Sequence, residues 1–328
     1  MKHMKALQVV EPRTFKLVRV PIPNLEMGGS NRILVKPEWV SLCGSDIPFF
    51  TGSKRYTSYP LAAGAPIHEC TGQVIQSNSE LFLPGDRVVA IPEGDRGLAE
   101  YFVAQQSKAV KLPKGLNDQG TSCLIQPLST VINGIDRLGS VEGKSVAVVG
   151  LGSIGLFFCW LLKQRGTAQV TGIDPSEERC RVAVGLGADR TFSRRSIEVL
   201  HAVRHGMIVW EPPDICIEAV GHQMDTLNDC LELVHQQGTV LAFGVPDQLV
   251  YAIEYETFFR KNAHLVAAVT PEWSEYLIIA RDLFLENHVV LEKLVTHRLS
   301  IREAAKTFTM YERHEDGILK ALMDTSYW

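Results

Sequence analysis

The sequence has no C-x-x-C pair, no block of basic residues and no long apolar run. Each absence excludes a class. Without C-x-x-C spacing, a zinc ribbon or a thioredoxin-like redox motif is ruled out. Without a basic block, nucleic acid is not an expected partner. The apolar run "IGLFFCWLL" at 154–162 is far too short to span a bilayer, so no membrane partner is expected. The opening "MKHMKALQVVEP" lacks the apolar core of a signal peptide. Met4 is a candidate natural start, which makes Met1 to His3 an addition. The seven cysteines are odd in number and several lie in apolar stretches. A reduced, cytoplasmic protein with mostly inert core thiols is the expectation.

What is present is a chain of 328 residues, 45% hydrophobic and 21% charged, with a formal net charge of −4. That length suggests two domains, or one with a large excursion, around a sizeable core. Up to about residue 125 the texture is short strands broken by Gly and Pro. "ILVKPEWVSLC" (33–43) and "TGQVIQS" (71–77) alternate like strands, and "LPGDRVVAI" (83–91) is a turn feeding a strand. From Pro127 the texture changes. "SVAVVG" (145–150) and "AQVTGID" (168–174) are short apolar runs of the buried parallel kind. "SIGLFFCWLLKQRG" (153–166) and "SEERCRVAVGLGA" (176–188) have helix length, the second with Ser176 as its N-cap. "DICIEAVG" (214–221), "GTVLAFGV" (238–245) and "HLVAAVT" (264–270) follow. This alternation predicts an α/β domain with a doubly wound parallel sheet after a β-rich one. The tail, 271–328, is mixed and amphipathic.

"GLGSIG" at 150–155 has the G-x-G-x-x-G spacing, with a strand before it and a helix after it. Gly150 permits the tight turn, Gly152 lets the backbone approach a pyrophosphate, and Gly155 allows close helix–strand packing. Ser153 and Ile154 open the helix, whose free N–H groups and positive dipole end face the phosphates. Asp174, nineteen residues after Gly155, is placed to bind ribose hydroxyls. A carboxylate there repels the extra phosphate of NADP, so NAD is the expected cofactor. A glycine-rich turn with a surface aspartate is the plainer alternative.

"IHECTG" at 67–72 sets three metal-binding side chains in a row. Neighbours on an extended chain point to opposite faces, so His68 and Glu69 need not serve one site. Cys43, in "LCGSD", lies 25 positions before His68. A thiol, an imidazole and a carboxylate suit a catalytic zinc site that keeps one position open, and Asp46 could fix the His68 ring. By spacing alone, a core cysteine and a satisfied histidine fit as well.

"LCGSD", "IHECTG", "PGDRVV", "GLGSIG", "DICIEAVG" and "GTVLAFG", in that order, resemble the zinc-dependent medium-chain dehydrogenase/reductase superfamily, in its polyol and threonine dehydrogenase branch. The resemblance implies a GroES-like catalytic domain (1–126), a Rossmann NAD-binding domain (127–271), a C-terminal segment (272–328) returning to the first, and an active site in the cleft between the two domains. It implies that the His-Glu step lies at an irregular turn, so that both side chains reach one zinc ion. It assigns Cys43, His68 and Glu69 as ligands of one catalytic zinc, Ser45 as the hydroxyl that relays the substrate proton, and Asp46 as the carboxylate behind His68. Thr130, Arg179, Phe243 and Val245 join the glycine loop and Asp174 around NAD(H). The activity implied is hydride transfer between an alcohol, expected to be secondary, and its ketone or aldehyde, in a homodimer or homotetramer. "HLVAAVT" is a candidate edge strand between subunits.

The sequence departs from the family in four places. "AIPEGDRGLAEYF" (90–102) runs on where many members carry four cysteines around a structural zinc, so a second zinc is not expected. Gln126 stands where relatives place a glutamate or cysteine by the zinc; an amide is a poor ligand and no base. Pro48 replaces a histidine that ends the proton relay. Phe49 replaces a tyrosine near the substrate; with Phe50 it suggests a partly apolar substrate pocket, although both could be core residues. The rival readings are a zinc-free reductase of a quinone or activated alkene, and a non-catalytic NAD-binding protein.

Overall fold

The computed structural model describes residues 2–25, 29–53 and 58–328; Met1, on which the reading of the start partly falls, lies outside them. The chain divides into two compact units. One is Met1–Ser129 with Glu272–Trp328, and the other is Thr130–Pro271. The division falls inside the helix Ile125–Asp136.

The first unit is built on a seven-stranded sheet. Its order runs Val295–Ser300, Lys320–Asp324, Arg32–Ser41, Glu69–Ser77, Arg87–Ala90 and Ala109–Lys111, with Phe102–Gln105 also on Arg32–Ser41. A hairpin, His3–Glu11 with Thr14–Pro21, stands as a separate two-stranded sheet. Arg32–Ser41 was expected to alternate buried and exposed, but it is buried on both faces for much of its length. The reason is that it has core on both sides. Ile33, Val35 and Val40 enter the main cluster, while Leu34 packs with Leu25 and Val103. Pro37 cannot donate to a ladder, and the register with Glu69–Ser77 shifts between Pro37 and Trp39. Beyond the shift, Ser41 pairs with Glu69 and Val40 with Cys70. Gly72 makes this possible: a Cβ there would lie 2.2 Å from the Lys36 carbonyl oxygen.

The amphipathic tail joins the same unit. The helix Trp273–Leu291 packs against Ala109–Lys111 and Thr121–Leu124. The strand Lys320–Asp324 then lies parallel to Val295–Ser300 and antiparallel to Arg32–Ser41, with Leu322 opposite Ser41. The C-terminal strand Lys320–Asp324 and the strand Glu69–Ser77 thus flank one central strand.

The second unit is a six-stranded parallel sheet, ordered Arg190–Phe192, Gln169–Ile173, Ser145–Val149, Ile215–Glu218, Thr239–Ala242 and His264–Ala267. In sequence terms this is the 3-2-1-4-5-6 order of a doubly wound dinucleotide fold. Ala147, Val149, Cys216 and Val240 pack on one face with residues of the helices Ser196–Arg204 and Asp225–Leu233. The alternate residues Val146, Val148, Ile215 and Ile217 are buried on the other face. The apolar run at 154–162 becomes the helix Ser153–Gln164, buried nearly all round, which is why it reads as apolar without amphipathic periodicity. Ser176 caps the helix Glu177–Gly185, accepting a bond from the Arg179 backbone N–H at 3.3 Å. No helix among the described residues is long and apolar enough to cross a membrane.

Candidate functional site

Cys43 lies two residues past the central strand of the first unit, Arg32–Ser41, and is the N-cap of a one-turn 3-10 helix, Gly44–Asp46. That turn folds Asp46 back so that Oδ2 accepts the Cys43 backbone N–H at 2.9 Å. Oδ1 of Asp46 then stands 3.0 Å from His68 Nδ1. Held this way, the ring directs Nε2 away from Asp46. His68 lies between an isolated bridge at Ile67 and the ladder with the central strand, which begins at Glu69. The alternation of a regular strand therefore does not separate the two side chains. One donor atom each from Cys43, His68 and Glu69 lies within 4.8 Å of the others. Cys70, the next residue, faces the main core instead.

The electrostatics follow from burial. Burial lowers the His68 ring, but the Asp46 carboxylate and its hydrogen bond, with Cys43 adding, hold it well above the ordinary histidine value. Asp46 is buried, and desolvation lifts its carboxyl above the usual range despite His68 and the Cys43 N–H. Glu69 is fully buried, and its partner is a residue that sequence reasoning missed. Lys320 Nζ donates to both Glu69 oxygens, at 2.6 and 2.5 Å, and to the Leu42 carbonyl at 3.3 Å. Burial works against this ammonium, but Glu69 outweighs it and keeps the lysine charged. The signal was a single lysine inside the apolar string "GILKALM".

The donor set fits a zinc ion. Zinc takes thiolate, imidazole and carboxylate together. The second ring nitrogen of His68 already has its carboxylate partner. A carboxylate has lone pairs enough to accept from Lys320 and still ligate.

Ser45 sits in the same turn as Cys43 and is partly exposed. Pro48 is buried in the short helix Ile47–Thr51. Phe49 is partly exposed, and its carbonyl accepts the Tyr59 hydroxyl at 2.7 Å. Phe50 corrects the expectation of a pocket residue. It has no accessible surface and packs in the core against Phe15 and Phe308, with ring centroids 5.3 and 5.0 Å away. Gln126 and Thr130 both stand on the helix Ile125–Asp136, Gln126 buried and Thr130 partly exposed.

In the second unit the glycine loop leaves the strand Ser145–Val149. Gly150 has φ of +91°, and a Cβ there would lie 2.7 Å from Val220 Cγ2. A Cβ on Gly155 would lie 1.8 Å from the Gly150 carbonyl oxygen, whereas one on Gly152, at the N-cap of the next helix, would meet only open space. Tight turn, close packing and open approach thus fall on the three glycines as the spacing predicts. Ser153 is buried and Ile154 partly so. Asp174 is buried; one oxygen accepts the Leu151 N–H at 2.9 Å and the other the Ser176 N–H at 2.8 Å. Arg179 Nη1 lies 3.7 Å from it. Phe243 is held edge-on by Phe158, with centroids 4.9 Å apart, and the Val245 carbonyl accepts the His222 N–H at 2.8 Å.

Comparison with known proteins joins the two halves. Residues 29–114 match the alcohol dehydrogenase GroES-like domain family, and residues 153–284 match the zinc-binding dehydrogenase family. The chain is 27% identical to sorbitol dehydrogenase of Ovis aries over 92% of each chain. It is also 27% identical to D-altritol 5-dehydrogenase of Agrobacterium fabrum, over 93% of this chain and 95% of the relative. Its fold matches the alcohol dehydrogenase of Thermus sp. ATN1 with a TM-score of 0.83 at 24% identity, over 98% of this chain and all of that one. With both parts matched in order, the chain belongs to the zinc-type medium-chain dehydrogenase/reductase family.

Proposed function

We propose that this protein is an oxidoreductase that interconverts an alcohol or polyol and its carbonyl compound by hydride transfer, using zinc at Cys43, His68 and Glu69 and a nicotinamide cofactor. The observation that carries it is the convergence of those three donors beside a buried Asp46 that already holds the His68 ring. When bound, zinc supplies Lewis acidity toward a hydroxyl or carbonyl oxygen and the nicotinamide supplies the hydride chemistry. Asp46 fixes the His68 tautomer, and Ser45, in the same turn as Cys43, takes and returns the substrate proton. With Pro48 in place of a titratable group, the proton held at Ser45 would pass to water. Gln126 acts as a hydrogen-bonding neighbour of the site and not as a ligand. Phe49 presents an apolar surface to the substrate.

In this reading residues 1–126 and 272–328 form the catalytic domain and 127–271 the cofactor domain. Gly150, Gly152, Ser153, Ile154 and Gly155 take the pyrophosphate, Asp174 and Arg179 the adenosine ribose, and Thr130, Phe243 and Val245 the nicotinamide end. The buried Asp174 carboxylate favours NAD over NADP. The edge strand His264–Ala267, with Leu265 exposed, supports a homodimer or homotetramer, and seven free cysteines support a cytoplasmic setting. The test is zinc content per chain before and after a mild chelator, with turnover on a panel of secondary alcohols and polyols. About one zinc per chain, with activity lost on chelation, is expected; turnover without metal would overturn the zinc role.

A further inference from the structure

Glu218 ends the fourth strand of the second unit, and only 4% of its surface is exposed. A buried carboxylate normally has a cation beside it. The partners of Glu218 are instead three backbone amides and a hydroxyl. Oε1 accepts from the Val220 N–H and the Gly221 N–H, both at 2.9 Å, and from Thr226 Oγ1 at 3.0 Å. Oε2 accepts from the Gly244 N–H at 3.2 Å. The Glu218 carbonyl also accepts from the N–H groups of Phe243 and Gly244, at 3.1 and 3.0 Å. One residue therefore ties the loop after its own strand to the loop after the neighbouring strand, Thr239–Ala242.

The joint is tight. A Cβ on Gly244 would lie 2.2 Å from the Gly221 nitrogen and 2.5 Å from Glu218 Oε2. On its other side, the loop after Glu218 meets the glycine loop. The Ala219 N–H donates to the Val149 carbonyl at 2.8 Å, and Val220 Cγ2 fills the space beside Gly150. In an open α/β sheet the ligand sits at the carboxyl ends of the strands, where the strand order reverses. Here that point lies between Ser145–Val149 and Ile215–Glu218. Asp174 marks the adenosine side of the glycine loop. The loops joined by Glu218 lie on the opposite side, and Val220, Phe243, Gly244 and Val245 all keep accessible surface there.

We propose that Glu218 is a positioning residue for the nicotinamide half of the cofactor site. It sets the backbone of 219–222 against that of 243–245, so that the surface meeting the nicotinamide is formed before the cofactor arrives. This rests on the dinucleotide reading above. Such preorganisation strengthens binding of that half alone, because the loop ordering is completed in advance.

The experiment titrates NADH and AMP separately into the full-length wild type, Glu218→Gln and Thr226→Val. AMP probes the adenosine side and NADH probes both sides. Glu218→Gln keeps the shape but turns an –NH2 toward an amide N–H. Thr226→Val removes a single donor and decides the matter if the first variant does not fold. The expected result is an NADH Kd raised about tenfold in Glu218→Gln and about threefold in Thr226→Val, with the AMP Kd and the zinc content unchanged. Equal weakening of NADH and AMP, or no change in either, would overturn the proposal. A wild type that binds AMP and NADH while the variants match it refutes Glu218 alone. A wild type that binds neither refutes the dinucleotide reading and the proposal with it.

Discussion

Lys320 and Glu69, 251 residues apart in the chain, form an ion pair that solvent does not reach. They meet because the strands that carry them flank Arg32–Ser41, where Ser41 is opposite both Glu69 and Leu322. The pair places a fixed cation behind one of the three candidate metal donors. Removing one partner of such a pair leaves an uncompensated charge. Lys320→Met is therefore expected to destabilise the metal-free protein by about 3–5 kcal/mol. It also frees the Glu69 oxygens for the ion. Added zinc should then raise the melting temperature of Lys320→Met by more than it raises that of the wild type. An equal gain in both would show that the ammonium and the metal do not share Glu69.

Asp46 tests the same centre from the histidine side. Asp46→Asn keeps an acceptor for the His68 ring but removes the charge. Substitutions of this kind cost about 10–100-fold in metal affinity. Competition against a zinc chelator should report a loss in that range, while NADH binding, proposed for the other unit, is unaffected. Undiminished zinc affinity would mean that Asp46 serves the turn and not the metal.

Cofactor choice is predicted from Asp174. Like charges set against each other cost several kcal/mol. Asp174→Asn removes the repulsion toward a 2′-phosphate and retains an acceptor for the Leu151 N–H. The ratio of kcat/KM with NADP to that with NAD is expected to rise about tenfold or more. A ratio that stays put would place the discrimination elsewhere.

The loop that leads into the Gln126 helix carries a pH-dependent clamp. Arg87 bonds Asp118 and Glu38 at 2.8 and 2.7 Å, and Asp118 also accepts the Ser122 N–H at 2.7 Å. Burial raises the Asp118 carboxyl, but Ser122 and Arg87 outweigh it and hold the group below its usual value. The folded state thus favours the ionised form. The stabilisation is complete above the unfolded carboxyl value of about 3.9 and disappears as pH falls through the lower folded value. Asp118→Asn should melt below the wild type at neutral pH, and the two curves should converge in acid. A gap that persists at low pH would point to packing and not charge.

Much of the second unit is legible from the residues because its signals are local. The three glycines act within six positions, Asp174 follows one strand later, and two helices, 153–166 and 176–188, declare themselves by length, the second also by its cap Ser176. Handedness and the alternation of strands and helices imply a parallel sheet, but its strand order and its edge strand Arg190–Phe192 came only with the structure. The metal candidates were legible as chemistry: one thiol, one imidazole and one carboxylate, with Asp46 expected behind His68 and found 3.0 Å from it. Phe50 was not legible, because a phenylalanine in a pocket and one in a core look alike until the opposing Phe15 and Phe308 are in place.

Side-chain chemistry and short-range periodicity set the elements, the glycine loop and the list of possible donors; those depend on forces acting over a few residues. Which donors share one site depended on strand register and on a chain that returns to its starting unit. Lys320 reached Glu69 only when the last strand docked against the third. Glu218 became a tie between loops only when two strands, 24 residues apart, paired in parallel. Contacts between residues far apart in sequence leave no periodic trace, because their energy appears only once the intervening chain has folded.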